Sequence, residues 1–167
     1  MPAPTTATSL QDLLDRAAIS DLVLNYATGI DRRDWQLYRS IFTDVVAFDF
    51  TTWSGVKQDM TADAWVKSVR ETLACFDATQ HTMSNHVIVL SGDRATITVH
   101  MNALHYFAGE VQQLGGFYTH QLRRGQEGWK ICACRLVITW EQGERALFER
   151  AAARGPRPRI EDNNQGA

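Results

Sequence analysis

Apolar residues in the first part of the chain recur every three or four positions. One such set comprises Ile19, Leu22, Val23, Tyr26 and Ile30. This spacing places them on one face of a helix, which is typical of a helix that packs on a core. Ser9 followed by Asp12 has the pattern of a capping box at a helix start. The sequence therefore predicts a helix that begins after Ser9 and ends near residue 28.

Two further segments show helical periodicity. Residues 33–42 predict a short second helix, and residues 61–76 predict a third helix with Thr61 as its N-cap. Between them, residues 45–53 are rich in β-branched and aromatic side chains, which is typical of a strand.

From residue 79 onward, apolar and polar residues alternate, which is typical of half-buried strands. Four strands are predicted, over residues 81–90, 94–107, 111–124 and 128–140. Two of the connections read SGD and GQEG, which are typical of hairpin turns. Helices that precede such a sheet predict an α+β fold, a cone-shaped barrel in which N-terminal helices pack on a strongly curved mixed or antiparallel sheet.

The chain of 167 residues is long enough for one domain with a sizeable core. We expect this domain to occupy residues 9–153, of which residues 143–153 form one or two helical turns. Residues 1–8 are expected to be flexible. Residues 154–167 are polar and rich in Pro and Gly, so a flexible C-terminal tail is expected as well.

Charge and composition argue against several classes of function. The net charge is −2, and Lys and Arg are spread along the chain, whereas nucleic-acid binding needs a basic patch. No apolar stretch reaches the roughly 20 residues that cross a bilayer, and the N-terminus lacks the pattern of a secretory signal. An odd count of three cysteines fits a reducing compartment. We therefore expect a cytoplasmic protein that binds neither nucleic acid nor membranes.

The cysteines and histidines do not predict a metal site. The chain has no CxxC or HxxxH pattern, which many protein zinc sites use. Cys132 and Cys134 lie two positions apart, so in a regular strand they would face the same side as structural thiols.

Four polar residues stand out against their apolar neighbours. Asp31 lies at the edge of the apolar helical stripe, where a carboxylate is either a solvated cap or needs a partner. His81, His105 and Arg135 alternate into apolar faces of the predicted strands. Each alone is compatible with a satisfied core or rim residue. Together they predict a functional pocket between the sheet and the helices.

Aromatic residues are candidates to line this pocket and bind substrate. They are Phe50, Trp53, Phe107, Tyr118 and Trp140. Such a lining predicts a small, mostly apolar and cyclic substrate, although each of these side chains would also fit a core.

Three segments resemble the SnoaL-like branch of the NTF2-like superfamily. They are RAAISDLVLNYATGIDRRDW (residues 16–35), ATQHTMSNH (78–86) and GGFYTHQLRRGQEGWKI (115–131). The resemblance covers roughly residues 10–142, and it extends to scytalone dehydratase, hexachlorocyclohexane dehydrochlorinase and bile-acid 7α-dehydratase. It implies a cone-shaped α+β barrel, a homo-oligomer that is most often a trimer, and no metal or organic cofactor.

The resemblance also implies roles for single residues. In these relatives an Asp after the first helix pairs with a His at the start of a strand, and Asp31 and His81 occupy those positions. His81 would then remove a proton from a small-molecule substrate, while Asp31 fixes its tautomer. His105, Tyr26 or Arg135 would assist the leaving group or a developing oxyanion. Scytalone dehydratase has tyrosines where this chain has Ile30 and Phe50, so the match is partial.

The expected function is a cofactor-independent lyase of the dehydratase type. An isomerase or a polyketide-type cyclase remains an alternative, because each also begins with proton abstraction beside a carbonyl group. A non-catalytic ligand-binding module is a third possibility, since fold alone does not decide function. An epoxide hydrolase would need a second carboxylate in the pocket, for which Asp49 is the nearest candidate.

Overall fold

This computed structural model describes residues 9–160. Its helices and strands follow the predicted order, with two additions. The elements are α1 (Leu10–Asp31), α2 (Trp35–Ser40), β1 (Phe42–Phe50), α3 (Thr51–Ser54), β2 (Val56–Thr61), α4 (Ala62–Leu73), β3 (Ala78–Ser91), β4 (Arg94–Phe107), β5 (Glu110–Gly125), β6 (Gly128–Gln142) and α5 (Ala146–Arg154). The additions are the helical turn α3 and the strand β2. β2 lacks an alternating apolar pattern because it is an edge strand that pairs only with β1 and is mostly exposed.

The strands form one mixed sheet in the order β2-β1-β6-β5-β4-β3. β1 runs parallel to β6, and every other neighbouring pair is antiparallel. The helices α1 and α4 pack on one face of this sheet, and α2 packs against both of these helices. The strands β2 and β3 are the open edges of the sheet. The predicted α+β fold is confirmed.

Helix α1 is longer than the sequence pattern predicts, since it ends at Asp31 rather than near residue 28. Its start agrees with the prediction, because Ser9 and Asp12 form the capping box. Gly29 does not end the helix. A Cβ atom at this position would lie 2.8 Å from Cβ of Tyr38, so the glycine allows α2 to pack closely against α1.

Three irregularities in the sheet reverse the direction of side chains along the strands. In β3, Asn85 has a φ angle of 54°, and the register with β4 shifts between Ser84 and Val87. In β6, Cys132 is the extra residue of a bulge, because Ile131 pairs with Leu122 and Ala133 pairs with Gln121. A second bulge lies where Gly115 pairs with Trp140 and Gly116 with Ile138. Beyond each point, the residues that face the core change from odd to even positions or the reverse.

These bulges overturn several predicted side-chain directions. Strict alternation from His81 would place Val87 and Val89 on the inner face and His86 on the outer face. Instead, Val87 and Val89 are exposed, and His86 faces α1 and contacts the hydroxyl of Ser20. Cys134 is buried whereas Cys132 is only partly buried, so these two thiols do not face the same side.

The segment that follows α5 lies against the body of the domain. The backbone N–H of Arg157 donates to the carbonyl of Ala74, and that of Ile160 donates to the carbonyl of Arg32. The buried guanidinium of Arg33 donates to the carbonyls of Phe76, Asp77 and Pro158. Residues 155–160 therefore connect the end of α1 to the loop before β3, whereas the sequence predicted a free tail from residue 154. The predicted flexible segment 1–8 and residues 161–167 lie outside the described residues.

Within the described residues, no helix is long and apolar enough to cross a membrane.

One histidine of the core has no hydrogen-bond partner within the part of the chain that the structure describes. His120 is fully buried on β5, and neither of its ring nitrogens has a hydrogen-bond partner among residues 9–160. Its ring stacks on that of Tyr118, with a distance of 5.3 Å between the ring centroids. Burial lowers the pKa of His120 to about 3, because the interior disfavours a charged imidazolium.

We expect His120→Phe to make the protein less sensitive to acid. The unfolded chain binds a proton at this histidine below a pH of about 6.5, whereas the folded protein does so only near pH 3. Stability is therefore lost as the pH falls through this window, by on the order of 2 kcal/mol at pH 5 for this one residue. Urea unfolding at pH 8 and pH 5 measures the difference, and the variant should lose less stability than the wild type. His100→Phe is the control, because His100 is an exposed histidine on the same sheet. Equal acid sensitivity of the wild type and His120→Phe would contradict this explanation.

Candidate active site

A cavity of about 310 Å³ lies between the inner face of the sheet and the helices. Its apolar lining includes Ile30, Val69, Leu73, Met101, Ala103, Leu114 and Leu136. Its aromatic lining includes Phe50, Trp53, Trp65 and Phe148. The polar groups that line it are His81, His105, Tyr26, Tyr118, Gln58, Ser54, Ser68 and Thr72. A mostly apolar cavity with a few convergent polar groups is the usual form of a site for a small molecule.

The strongest polar feature of the cavity is the contact between Asp31 and His81. Oδ1 of Asp31 lies 2.7 Å from Nδ1 of His81. Only 5% of the His81 side chain and 20% of the Asp31 side chain are exposed. A carboxylate can only accept a hydrogen bond, so Nδ1 of His81 carries a proton and Nε2 of the neutral ring is left as a bare acceptor.

Local structure holds Asp31 in this position. Asp31 is the last residue of α1, and its carboxylate also accepts hydrogen bonds from the backbone N–H of His81 at 2.7 Å and from the hydroxyl of Thr79 at 2.9 Å. Thr79 and His81 face the same side of β3 because they lie two positions apart. The contacts of Arg33 described above hold the end of α1 beside the loop that leads into β3. The carboxylate therefore has little freedom to turn away from the imidazole.

A second histidine faces the same cavity. His105 lies on β4, with its ring centroid 5.7 Å from that of His81. Nδ1 of His105 lies 3.1 Å from Oε1 of Gln112, which is its neighbour on β5. Burial, together with the nearby His81, lowers the pKa of His105 to about 4, so this ring is neutral near pH 7.

Tyrosine hydroxyls form another polar part of the lining. The hydroxyls of Tyr26 and Tyr118 lie 3.5 Å apart, and Tyr26 also interacts with Tyr38. The indole N–H of Trp65 donates to the hydroxyl of Tyr38 at 2.9 Å. Burial raises the pKa of both Tyr26 and Tyr118, so these hydroxyls stay protonated and can donate hydrogen bonds.

Three residues predicted for the site lie outside the cavity. Arg135 was predicted to face inward, but the bulge at Cys132 turns it outward, where 65% of its side chain is exposed near Asp49. Trp140 is turned outward by the bulge at Gly115 and Gly116, and its indole covers Gly115. Phe107 does face inward, but it lies beyond the cavity, against Phe76 and the guanidinium of Arg154.

The remaining predicted residues come together. Tyr26, Phe50, Trp53, His81, His105 and Tyr118 line the cavity, and Asp31 lies directly behind His81. Three residues at the site carry no signal that marked them as site residues in the sequence, namely Thr79, Gln112 and Phe148. A tight turn at residues 108–109 would have indicated the pairing of Gln112 with His105, because it sets the register of β4 and β5. Phe148 on α5 closes one side of the cavity and contacts His105, a placement that no local pattern indicates.

The absence of charged side chains from the described lining restricts the kind of molecule that the cavity suits. None of the described residues that line the cavity is Lys, Arg, Asp or Glu. Residues 9–160 also contain no group of three or more His, Cys, Asp or Glu side chains placed to hold a metal ion. The lining therefore suits a neutral, largely apolar molecule with a few polar groups.

The sequence and the fold are similar to those of known proteins. Residues 11–135 match the model of the SnoaL-like domain. The chain is 29% identical over 161 residues to terrestric acid biosynthesis cluster protein E of Penicillium crustosum, a match that covers 89% of this chain and 99% of that protein. A crystal structure of a protein from Kribbella flavida matches with a TM-score of 0.76 and 27% identity, over 84% of this chain and 98% of the other. Hexachlorocyclohexane dehydrochlorinase LinA-type3 of Novosphingobium barchaimii matches with a TM-score of 0.70 and 19% identity, over 81% of this chain and 94% of the other, which shows a shared fold.

Proposed function

Since this chain belongs to the SnoaL-like domain family, we propose that it is a cofactor-independent lyase of the dehydratase type. Its substrate is a small, neutral, largely apolar carbonyl compound with a ring. The observation that carries the proposal is the contact of 2.7 Å between Asp31 and His81 beside an apolar cavity. A domain that only binds a ligand has no need of this pair.

The proposed reaction starts at Nε2 of His81. This nitrogen takes a proton from the carbon next to the carbonyl group, and Asp31 stabilises the imidazolium that forms. The electron pair of the broken C–H bond first forms an enolate, whose negative charge lies mainly on the carbonyl oxygen. The carbonyl group of the enolate then re-forms, a C=C bond forms to the β-carbon, and the C–O bond to the β-hydroxyl group breaks. The proton held by His81 then joins the departing hydroxide, so the products are an unsaturated carbonyl compound and one molecule of water.

The tyrosine hydroxyls suit the charge that develops during this reaction. Negative charge accumulates on the carbonyl oxygen as the proton leaves, and fixed hydrogen-bond donors stabilise such charge in a site that excludes water. Tyr118 and Tyr26 line the cavity and keep their protons because burial raises the pKa of both. We propose that these two hydroxyls donate hydrogen bonds to the carbonyl oxygen of the substrate.

The charge of the lining favours hydroxide over halide as the leaving group. A departing halide ion is not protonated at neutral pH, so a cation close to it would assist its departure. No described Lys or Arg lines this cavity, and Arg135 faces away from it. Hydroxide can instead leave as neutral water with the proton that His81 has taken.

Two other functions use parts of the same site. An isomerase or a polyketide-type cyclase would share the proton abstraction and differ only in the fate of the enolate. A non-catalytic binding module would use the cavity alone. Epoxide hydrolysis is disfavoured, because Asp49 does not line the cavity and instead contacts Thr51 and Lys57.

We also propose that the chain forms a homo-oligomer, with a trimer as the form that the family resemblance implies. Exposed apolar residues on the outer face of the sheet support this, among them Val87, Val89 and Trp140. The oligomeric state and the cytoplasmic location stay predictions.

A panel of cyclic β-hydroxy ketones tests the proposed function. We expect at least one of them to lose water, which is measured as the ultraviolet absorbance of the conjugated product. Incorporation of solvent deuterium without loss of water would instead favour the isomerase or cyclase. Compounds that bind tightly but show neither change would favour the binding module.

A further inference from the structure

The contact between His105 and Gln112 determines which nitrogen of His105 carries the proton. His105 is only 2% exposed and Gln112 is fully buried, so solvent does not compete for this contact. Oε1 of Gln112 lies 3.1 Å from Nδ1 of His105. This amide oxygen can only accept a hydrogen bond. We therefore assign the proton of the neutral ring to Nδ1.

This assignment fixes the chemistry on the cavity side of His105. With Nδ1 held by Gln112, Nε2 is the ring nitrogen that remains for a bound molecule, and it carries a lone pair. His105 has a pKa of about 4, lowered mainly by burial, so the ring does not gain a second proton near pH 7. His105 thus accepts a hydrogen bond from the ligand and has no proton to give to a leaving group.

We infer that Gln112 is a positioning residue that makes His105 an acceptor for a hydroxyl group of the substrate. The two histidines then present two acceptor nitrogens to the same part of the cavity, with their rings 5.7 Å apart. One of them, His81, takes the proton from carbon, and the other holds an O–H group close by. The substrate class narrows to neutral compounds that carry an unmodified hydroxyl group, and an ether or ester of that hydroxyl group is excluded.

This inference rests on the proposed function only in that the cavity is the substrate site. Its test uses ligand binding and the state of the His105 ring, and neither of these requires turnover. The proposed reaction and the role of Gln112 can therefore fail separately.

The probes are 2-naphthol and 2-methoxynaphthalene, which differ in one O–H group that the ether lacks. Titration calorimetry measures the dissociation constant of each. We expect the wild-type protein to bind the naphthol roughly 3- to 10-fold more tightly, as one net hydrogen bond implies. A purely structural loss would weaken both probes equally, so the ratio of the two dissociation constants isolates the hydrogen bond to the hydroxyl group.

Three variants separate the role of Gln112 from a general effect on folding. Gln112→Leu should bring the ratio close to one, because the leucine leaves the His105 ring without its acceptor. Gln112→Glu should keep the preference, since a carboxylate also accepts from Nδ1. Gln113→Leu is the matched control, because Gln113 is the next residue and contacts Asn102 instead of His105, so the ratio should stay at the wild-type value.

Nitrogen-15 spectra of the His105 ring supply the second readout. In the wild type and in Gln112→Glu the proton should be found on Nδ1, and in Gln112→Leu both tautomers should be present. A wild-type ring protonated at Nε2 would overturn the inference. Equal dissociation constants of the two probes for the wild type, or no binding of either probe, would also overturn the inference. An unchanged ratio of the two dissociation constants in Gln112→Leu would overturn it too, and would assign the hydroxyl group to His81.

Discussion

His81→Ala should lower kcat by on the order of 10²- to 10⁴-fold on any substrate that the hydroxy-ketone panel identifies. This is the usual contribution of a positioned general base. The variant keeps the cavity and the tyrosine hydroxyls, so KM should change much less than kcat. Steady-state kinetics measures both constants.

His86→Ala is the matched control for this variant. His86 lies on the same strand, five positions further on, but it contacts Ser20 and does not line the cavity. Its removal should leave kcat within a factor of about three of the wild-type value, well below the smallest contribution of a general base. If a folded His81→Ala protein also stayed within that factor, the pair of Asp31 and His81 would be structural only.

Asp31→Asn should lower kcat by roughly 10²-fold or more, because an amide cannot stabilise the imidazolium of His81. It should also lower the free energy of unfolding by about 1–3 kcal/mol. The carboxylate accepts three hydrogen bonds, from the Thr79 hydroxyl, the His81 backbone and the His81 ring. The amide replaces one of its two acceptor oxygens by an NH₂ group, which faces donors. Kinetics and urea unfolding measure the two effects.

Asp34→Asn controls for the loss of a negative charge at the end of α1. Asp34 caps α2 through a hydrogen bond to the N–H of Leu37, and asparagine caps helices equally well. This control should change neither kcat nor stability by much. The double variant of Asp31→Asn and His81→Ala should be little slower than the slower single variant, because residues that act as a unit are not additive. Multiplicative losses in the double variant would show that the two residues act independently.

Local sequence patterns were sufficient to predict that α1, α2, α4 and α5 exist and where α1 begins. The apolar stripe of α1 and the capping box at Ser9 depend on residues close together in the chain, so their periodicity is visible directly. The pairing of Asp31 with His81 came from the resemblance to a family. The contact itself depends on where α1 ends, and the end of α1 was predicted three residues too early.

The errors in side-chain direction have one physical cause. A bulge adds one residue to a strand and reverses every side chain beyond it, and strict alternation cannot reveal this. Arg135 lies beyond one such point in β6, and Val87 and Val89 lie beyond one in β3, whereas Trp140 lies beyond two, which cancel. The packing of residues 155–160 against the domain was not predicted for another reason. Their contacts to the end of α1 join parts of the chain that are distant in sequence.

The most direct test of the account is the exchange of carbon-bound hydrogen with solvent. A cyclic hydroxy ketone that the protein binds is incubated in D₂O, and NMR follows deuterium incorporation at the carbon next to the carbonyl group. This reports proton abstraction alone, whatever the enolate becomes afterwards. We predict rapid incorporation with the wild type and with His86→Ala, and only the background rate with His81→Ala. Equal rates for wild type and His81→Ala would contradict the claim that His81 is the base.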